Sequence, residues 1–156
     1  MKKLKLYLDT SIISYLDQQD TPDKMNDTLA FWEDVTNGKY DIVLSNVTLN
    51  ELNQSNDEKK LIFKKFLDKI NFDTFEETEE TKILAEEYIK HGVLSNKSID
   101  DCNHIACAVV SNCDVIVSWN FKHIVNYKTI KGVKVVNAIN EYKEIAIYPP
   151  TMLIEE

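Results

Sequence analysis

The chain has 156 residues, 44% of them apolar and 28% charged, and its 18 basic residues, all lysine, stand against 26 acids for a net charge of −8. That length suits one domain able to bury its own core. The acidic balance excludes a protein that coats nucleic acid through a basic surface, but not an enzyme acting on nucleic acid at a local site.

In chain order, residues 4–8 are a short strand-forming run ending abruptly at Asp9-Thr10-Ser11. Thr10 or Ser11 is placed to cap a helix carrying Ile12, Ile13 and Leu16. A second helix is expected over residues 23–37, with Met25, Leu29, Trp32 and Val35 on one face and Gly38 as its stop. Asp41–Ser45 reads as a buried strand, followed by a helix holding Val47, Leu49, Glu51 and Leu52. Residues 57–70 are amphipathic, with Ile62, Phe66 and Ile70 inward and lysines outward, and a similar helix spans residues 78–91 before Gly92.

Residues 99–112 carry the clearest helical pattern, with Ser98 as N-cap and Cys102, Ile105, Ala106, Val109 and Val110 as a wide apolar stripe. Residues 115–117 and 133–136 read as two further strands. The tail from Tyr148 to Ile154 is apolar, placed either to pack on its own domain or to cover a groove used by a partner.

No apolar run approaches the ~20 residues of a membrane span, and the basic N-terminus meets Asp9 before a signal-peptide core can form. Cys102, Cys107 and Cys113 lack a zinc-type spacing, which makes them free thiols of a cytoplasmic protein. With three glycines, three prolines and no repeat, residues 1–156 read as one domain: a motif-bearing core over 4–140 and a tail over 141–156. Short, continuously apolar strands alternating with helices indicate an α/β fold with a mostly parallel central sheet.

In such sheets functional groups gather where strands end and helices begin. That rule selects Asp9 after the first strand and Glu51 on the helix after the second. It also selects Asp101 in the first turn of the strong helix and Asn120 after the third strand. Three carboxylates and a carboxamide are hard oxygen donors that suit Mg²⁺ or Mn²⁺. Such an ion lowers the pKa of a bound water and polarises a phosphodiester. Taken singly, each acid is better read as a helix cap or a solvated loop residue; the set together is what points to a metal.

Four segments occur together in order: YLDTSIISYL at 7–16, SNVTLNEL at 45–52, IDDCNHIACAV at 99–109 and DVIVSWNFKHI at 114–124. This pattern resembles PIN-domain proteins, in particular their VapC-like group. The resemblance implies a three-layer PIN-like fold and a Mg²⁺/Mn²⁺-dependent ribonuclease, often the toxin of a toxin–antitoxin module. It matches Asp9, Glu51 and Asp101 to the family's acidic, metal-binding residues and Asn120 to its fourth position, where Asp is frequent. It also selects Asp101 over Asp100, by the spacing to His104-Ile105-Ala106. An antitoxin and a homodimer are the partners it implies.

Around these positions, Ser11 is placed to hold a water or a phosphate oxygen as well as to cap a helix. His104 and His123 flank the site, where a structural hydrogen bond is the expected role of each. From residue 115 to 140 there are four lysines, Lys122, Lys128, Lys131 and Lys134, and no acid, a track suited to an RNA backbone. Residues 73–87 hold seven acids against Lys82 and read as solvated surface. Two readings therefore stand: a metal-dependent endoribonuclease, or a catalytically weak PIN-fold module that binds RNA or protein. An aspartate-nucleophile phosphatase would need a second Asp where Ser11 stands.

Overall fold

The computed structural model describes residues 2–155. Five strands form one parallel sheet: β1 (Lys5–Leu8), β2 (Asp41–Ser45), β3 (Asp73–Phe75), β4 (Val115–Val117) and β5 (Ala146–Tyr148). Their spatial order is β3-β2-β1-β4-β5, so β1 is central and the order reverses between β1 and β4. Leu6 faces Ile42 on one side and Val115 on the other, which fixes the register at the middle of the sheet.

Seven α-helices connect the strands: α1 (Thr10–Ser14), α2 (Pro22–Thr36), α3 (Asn46–Leu52), α4 (Asp57–Leu67), α5 (Glu79–Lys90), α6 (Ile99–Val110) and α7 (Tyr127–Ile139). The period-2 alternation of the strands divides the core into two layers. Tyr7, Val43, Ile116 and Ile147 pack against α5, α6 and α7. Leu6, Leu8, Ile42, Leu44, Val115 and Val117 pack against α1, α2 and α4. The result is the expected three-layer α/β fold.

Local sequence fixes where the helices begin and end. Pro22 opens α2, where a missing N–H costs nothing, and Gly38 follows it at a φ of +77° that only glycine adopts freely. Asn56 caps α4 by accepting from Lys59 N–H, with Asp57 and Glu58 in the first turn and Lys64 and Lys65 in the last. Thr78 and Thr81 form a reciprocal capping box on α5. On α2 the buried stripe is Thr28, Phe31, Trp32 and Val35, turned slightly from the expected face. On α4 the buried residue is Phe63, with Ile62 and Phe66 half-buried; the helix ends at Leu67, so half-buried Ile70 lies just beyond it.

Three expectations are corrected. Residues 133–136 are not a strand; they lie inside α7. There Thr129, Val133, Val136 and Asn137 make a helical stripe, and Lys134 and Val135 face outward. The valines suggested a strand, but the Asn126 cap and packing against α5 fix a helix. Ser98 stands at the N-cap of α6 without a side-chain cap bond, and Asp9, rather than Thr10 or Ser11, caps α1. The acidic stretch is largely exposed, as expected, and contains the edge strand β3. The tail supplies β5, and Leu153 and Ile154 pack on the α2 side of the core, with Tyr40 Oη donating to the Leu153 carbonyl.

Cys102, Cys107 and Cys113 are buried free thiols. Among the described residues no helix is long and apolar enough to cross a membrane.

Candidate active site

The carboxyl ends of β1 and β4 meet at the point where strand order reverses, the usual ligand crevice of an open parallel sheet. Asp9 ends β1 there and is buried. Its Oδ1 accepts from Ser11 N–H at 3.1 Å and from the Ser11 hydroxyl at 2.5 Å. The Ser118 hydroxyl, just past β4, donates to Asp9 Oδ2. Burial pushes the Asp9 carboxyl above its ordinary pKa, against the opposing effects of His104, Ser11 and Ser118.

Ser118 also ties in the fourth position. Its hydroxyl accepts from Asn120 N–H at 2.9 Å, and Asn120 Nδ2 donates to Asp101 Oδ1 at 3.3 Å. Asn120 Oδ1 accepts from His123 N–H at 2.9 Å, so a flipped amide would set donor against donor. The fourth position therefore presents an N–H to Asp101 and clamps it. Asp101 is half-buried in the first turn of α6, while Asp100 is exposed. Burial raises the Asp101 pKa, Asp9 and Glu51 add to the rise, and His123 and His104 oppose it.

Glu51 reaches the same place from α3. Its Oε1 accepts from Thr10 Oγ1 at 3.0 Å and lies 2.5 Å from His104 Nε2. Burial alone would raise the Glu51 pKa, but the bond to His104, that residue's charge and Thr10 bring it below its ordinary value. The His104 ring is buried, and its Nδ1 lies 2.6 Å from Tyr7 Oη. Burial would depress the His104 pKa, yet the Glu51 bond and the charges of Asp9, Glu51 and Asp101 raise it. One connected set of bonds thus runs Glu51–His104–Tyr7–Ser45, and another runs Asp9–Ser118–Asn120–Asp101.

The sequence placed His104 beside the site, and the structure puts both its ring nitrogens in hydrogen bonds there. It did not single out Tyr7, Thr10 or Ser118. The signal for all three is adjacency, since each lies within two residues of Asp9 or Asn120 along the chain. His123 reaches the site through its backbone, and its carbonyl accepts from Thr129 Oγ1.

The lysines do not form one strip. Lys122 and Lys128 lie near the loop that carries Asn120. Lys131 stands over the Tyr127 ring, 5.8 Å from its centroid. Lys134 pairs with Glu144 at 3.6 Å, before β5 and so at the opposite end of the sheet.

Among the described residues, no three His, Cys, Asp or Glu side chains stand close enough together to enclose one metal ion. The donor chemistry nonetheless fits Mg²⁺, which keeps most of its water and binds proteins through one or two carboxylates. A separate cavity of about 540 Å³ between α3 and α4, lined by Leu49, Leu52, Phe63, Leu67 and Phe72 among others, does not include Asp9, Glu51 or Asp101.

The model of the PIN-domain family matches residues 6–123, which contain every acid and amide of this crevice. The chain belongs to the PIN-domain family. Among solved structures, it is similar to a chain of VapBC2 from Rickettsia felis bound to a DNA fragment from their promoter. The identity is 14% and the TM-score 0.56, over 94% of this chain and 98% of that one. At that identity the likeness concerns the fold. No curated protein matches the chain. α3 and α6 pack against each other, and the bonds of Glu51 to His104 and to Thr10 join them beside the end of β1.

Proposed function

We propose that this PIN-domain protein is a Mg²⁺- or Mn²⁺-dependent endoribonuclease and the toxin of a cytoplasmic toxin–antitoxin pair. The observation that carries this reading is the meeting of Asp9, Glu51 and Asp101 at the switch point of the sheet: Ser118 and Asn120 join Asp9 to Asp101, and Thr10, next to Asp9, donates to Glu51. Three mutually repelling acids held by a dedicated set of hydroxyl and amide donors make poor structural glue and a suitable cation site. Asp9, Glu51 and Asp101 would hold the metal, directly or through water, and the ion would supply an activated water and charge neutralisation at phosphorus.

The chain's own residues do the rest. Ser11 and Ser118 hold Asp9 in one orientation, Asn120 clamps Asp101, and His104 fixes Glu51. Hydrolysis forms a new P–O bond from water and breaks the bond to the 3′ oxygen, which takes a proton. The products carry 5′-phosphate and 3′-hydroxyl ends. The VapBC2 neighbour is a two-protein assembly, which supports an antitoxin as partner. A homodimer is part of the same reading.

Purified protein incubated with structured and unstructured RNAs, in Mg²⁺, Mn²⁺ or EDTA, tests the proposal beside Asp101→Asn. Cleavage that needs the metal and Asp101 is the expected result; no metal-dependent cleavage of any RNA overturns it. A second reading, a PIN-fold module that binds RNA or protein without cutting, is favoured by one observation. Asn120 offers a donor where an acid is frequent, and among the described residues no three acids enclose an ion. Under that reading Asp101→Asn keeps its cellular effect.

A further inference from the structure

Next to Asn120 the chain builds an aromatic cluster that the hydrolytic chemistry does not use. Trp119 and Phe121 flank Asn120, and Tyr15 joins them from the turn after α1. The Trp119 ring centroid lies 5.9 Å from that of Tyr15 and 6.1 Å from that of Phe121. Lys24, on α2, places its Nζ 5.4 Å from the Tyr15 centroid and 5.6 Å from those of Trp119 and Phe121. Among the described residues Lys24 makes no ion pair, so its charge rests on the three ring faces.

The cluster is held rigid from behind. Trp119 is 6% exposed, and its Nε1–H donates to Thr28 Oγ1 at 2.8 Å. That hydroxyl donates to the Lys24 carbonyl at 2.6 Å, which couples the indole to the helical turn bearing the lysine. Asn126 Nδ2 donates to the Phe121 and Lys122 carbonyls, fixing the loop. Phe121 alone of the three rings presents a large open face, being 47% exposed.

The platform is linked to Asp9 through Ser11. Trp119 N–H donates at 2.9 Å to the same Ser11 hydroxyl that donates to Asp9. From these observations we infer that Phe121, backed by Trp119 and Tyr15 and charged by Lys24, is a stacking platform for an unpaired base of single-stranded RNA. This deepens the nuclease reading and rests on it for the substrate. An exposed ring beside a cation is the chemistry that grips a single strand without reading its sequence, because every base has a π-face. A paired base is stacked already and cannot use it. Lys24 over the Phe121 ring and Lys122, next to Phe121 in the chain, supply positive charge for the phosphates on either side of a stacked base.

The test measures binding of fluorescein-labelled oligouridylate, oligoadenylate and a duplex RNA of equal length to the full chain with Mg²⁺, in an Asp101→Asn background that leaves the strand intact. Phe121→Leu keeps apolar bulk and removes the ring; Phe121→Trp restores a ring. Circular dichroism checks that each variant is folded. The expectation is that Phe121→Leu weakens single-strand binding about fivefold or more, that Phe121→Trp recovers it, and that duplex binding stays where it was. Unchanged single-strand binding overturns the inference, as does equal weakening for single strand and duplex. So does a Phe121 requirement seen only with a protein partner. The two readings separate cleanly. Phe121-dependent binding without any metal-dependent cleavage keeps the platform and removes the nuclease. Cleavage at an unaltered KM in Phe121→Leu on a wild-type background keeps the nuclease and removes the platform.

Discussion

Glu51 Oε1 lies 2.5 Å from His104 Nε2, and the opposite ring nitrogen lies 2.6 Å from Tyr7 Oη. A carboxylate can only accept, so Nε2 carries the proton that faces Glu51. This buried imidazole sits under three acids, and its cation is favoured in the folded state. For the metal-free protein the sign follows. The contribution of His104 is fully present below ~6.5, the free imidazole value, and is lost as pH rises through the higher folded value. The depressed Glu51 pKa works the other way, present above ~4.3 and lost as pH falls. Denaturant midpoints measured against pH in EDTA should therefore decline on the alkaline side for wild type. His104→Gln, which cannot titrate, should remove that decline and unfold at lower denaturant by about 2 kcal/mol. An identical pH profile for both proteins contradicts the assignment.

Asp9 and Asp101 cost the metal-free fold stability. Burial raises both carboxyl pKa values, so the folded state binds protons that the unfolded state has released, and stability rises as pH falls toward the folded values. Replacing either with Asn removes a charge in a crowded crevice and keeps the shape. Asp101→Asn should stabilise the protein in EDTA by on the order of 1 kcal/mol while abolishing cleavage. Asp9→Asn should be neutral to mildly stabilising, since an amide oxygen still accepts from Ser11. Guanidinium unfolding in EDTA beside an RNA cleavage assay reads both effects at once. A variant that loses both stability and cleavage would make the acids structural.

The four motifs brought the crevice residues together with Ser11 and His104 beside them, but did not mark Tyr7, Thr10 or Ser118, which complete the bonds that hold it. Asp9, Asp101 and Asn120 sit just past strand ends or in a first helical turn, positions that local patterning marks, and Glu51 lies in the last turn of α3. Tyr7 reads as one more strand residue, and only the parallel pairing of β1 with β2 brings its hydroxyl within 2.6 Å of Ser45. Residues 133–136 show the limit of composition. Three valines and a lysine fit a strand as well as a helix, and packing of Val133 and Val136 against α5 decides it. β5 hid in a tail because Ala146–Tyr148 is too short to show alternation, and it exists by pairing with β4.

Ser118 serves two partners from one buried hydroxyl, donating to Asp9 and accepting from Asn120 N–H. Ser118→Ala leaves a buried carboxylate oxygen and a loop N–H without it. The expected loss is about 1–3 kcal/mol of stability, the desolvation cost of unsatisfied buried groups. Cleavage should fall more steeply than folding, because Asp9 loses the bond that orients one of its oxygens. Ser118→Thr, which retains the hydroxyl, should recover part of the orientation if the added methyl is accommodated. Thermal melts and single-turnover cleavage of the same preparations distinguish loss of the bond from loss of the fold.

Asn120 decides how much negative charge the crevice carries without metal. Its Nδ2 meets Asp101 Oδ1 at 3.3 Å, so Asn120→Asp exchanges a donor for a fourth carboxylate facing an existing one. His123 N–H can still be accepted by the new side chain, so the loop has no reason to move. In EDTA the variant should lose about 1–2 kcal/mol through like-charge repulsion in a partly buried site. Mn²⁺ should restore more stability to it than to wild type, because a cation bound only by the folded state stabilises in proportion to its affinity. The measurement is the rise in melting temperature between EDTA and Mn²⁺ for the two proteins. A smaller rise in Asn120→Asp than in wild type would mean that the fourth position does not face the cation, and that Asp101 is clamped for another purpose.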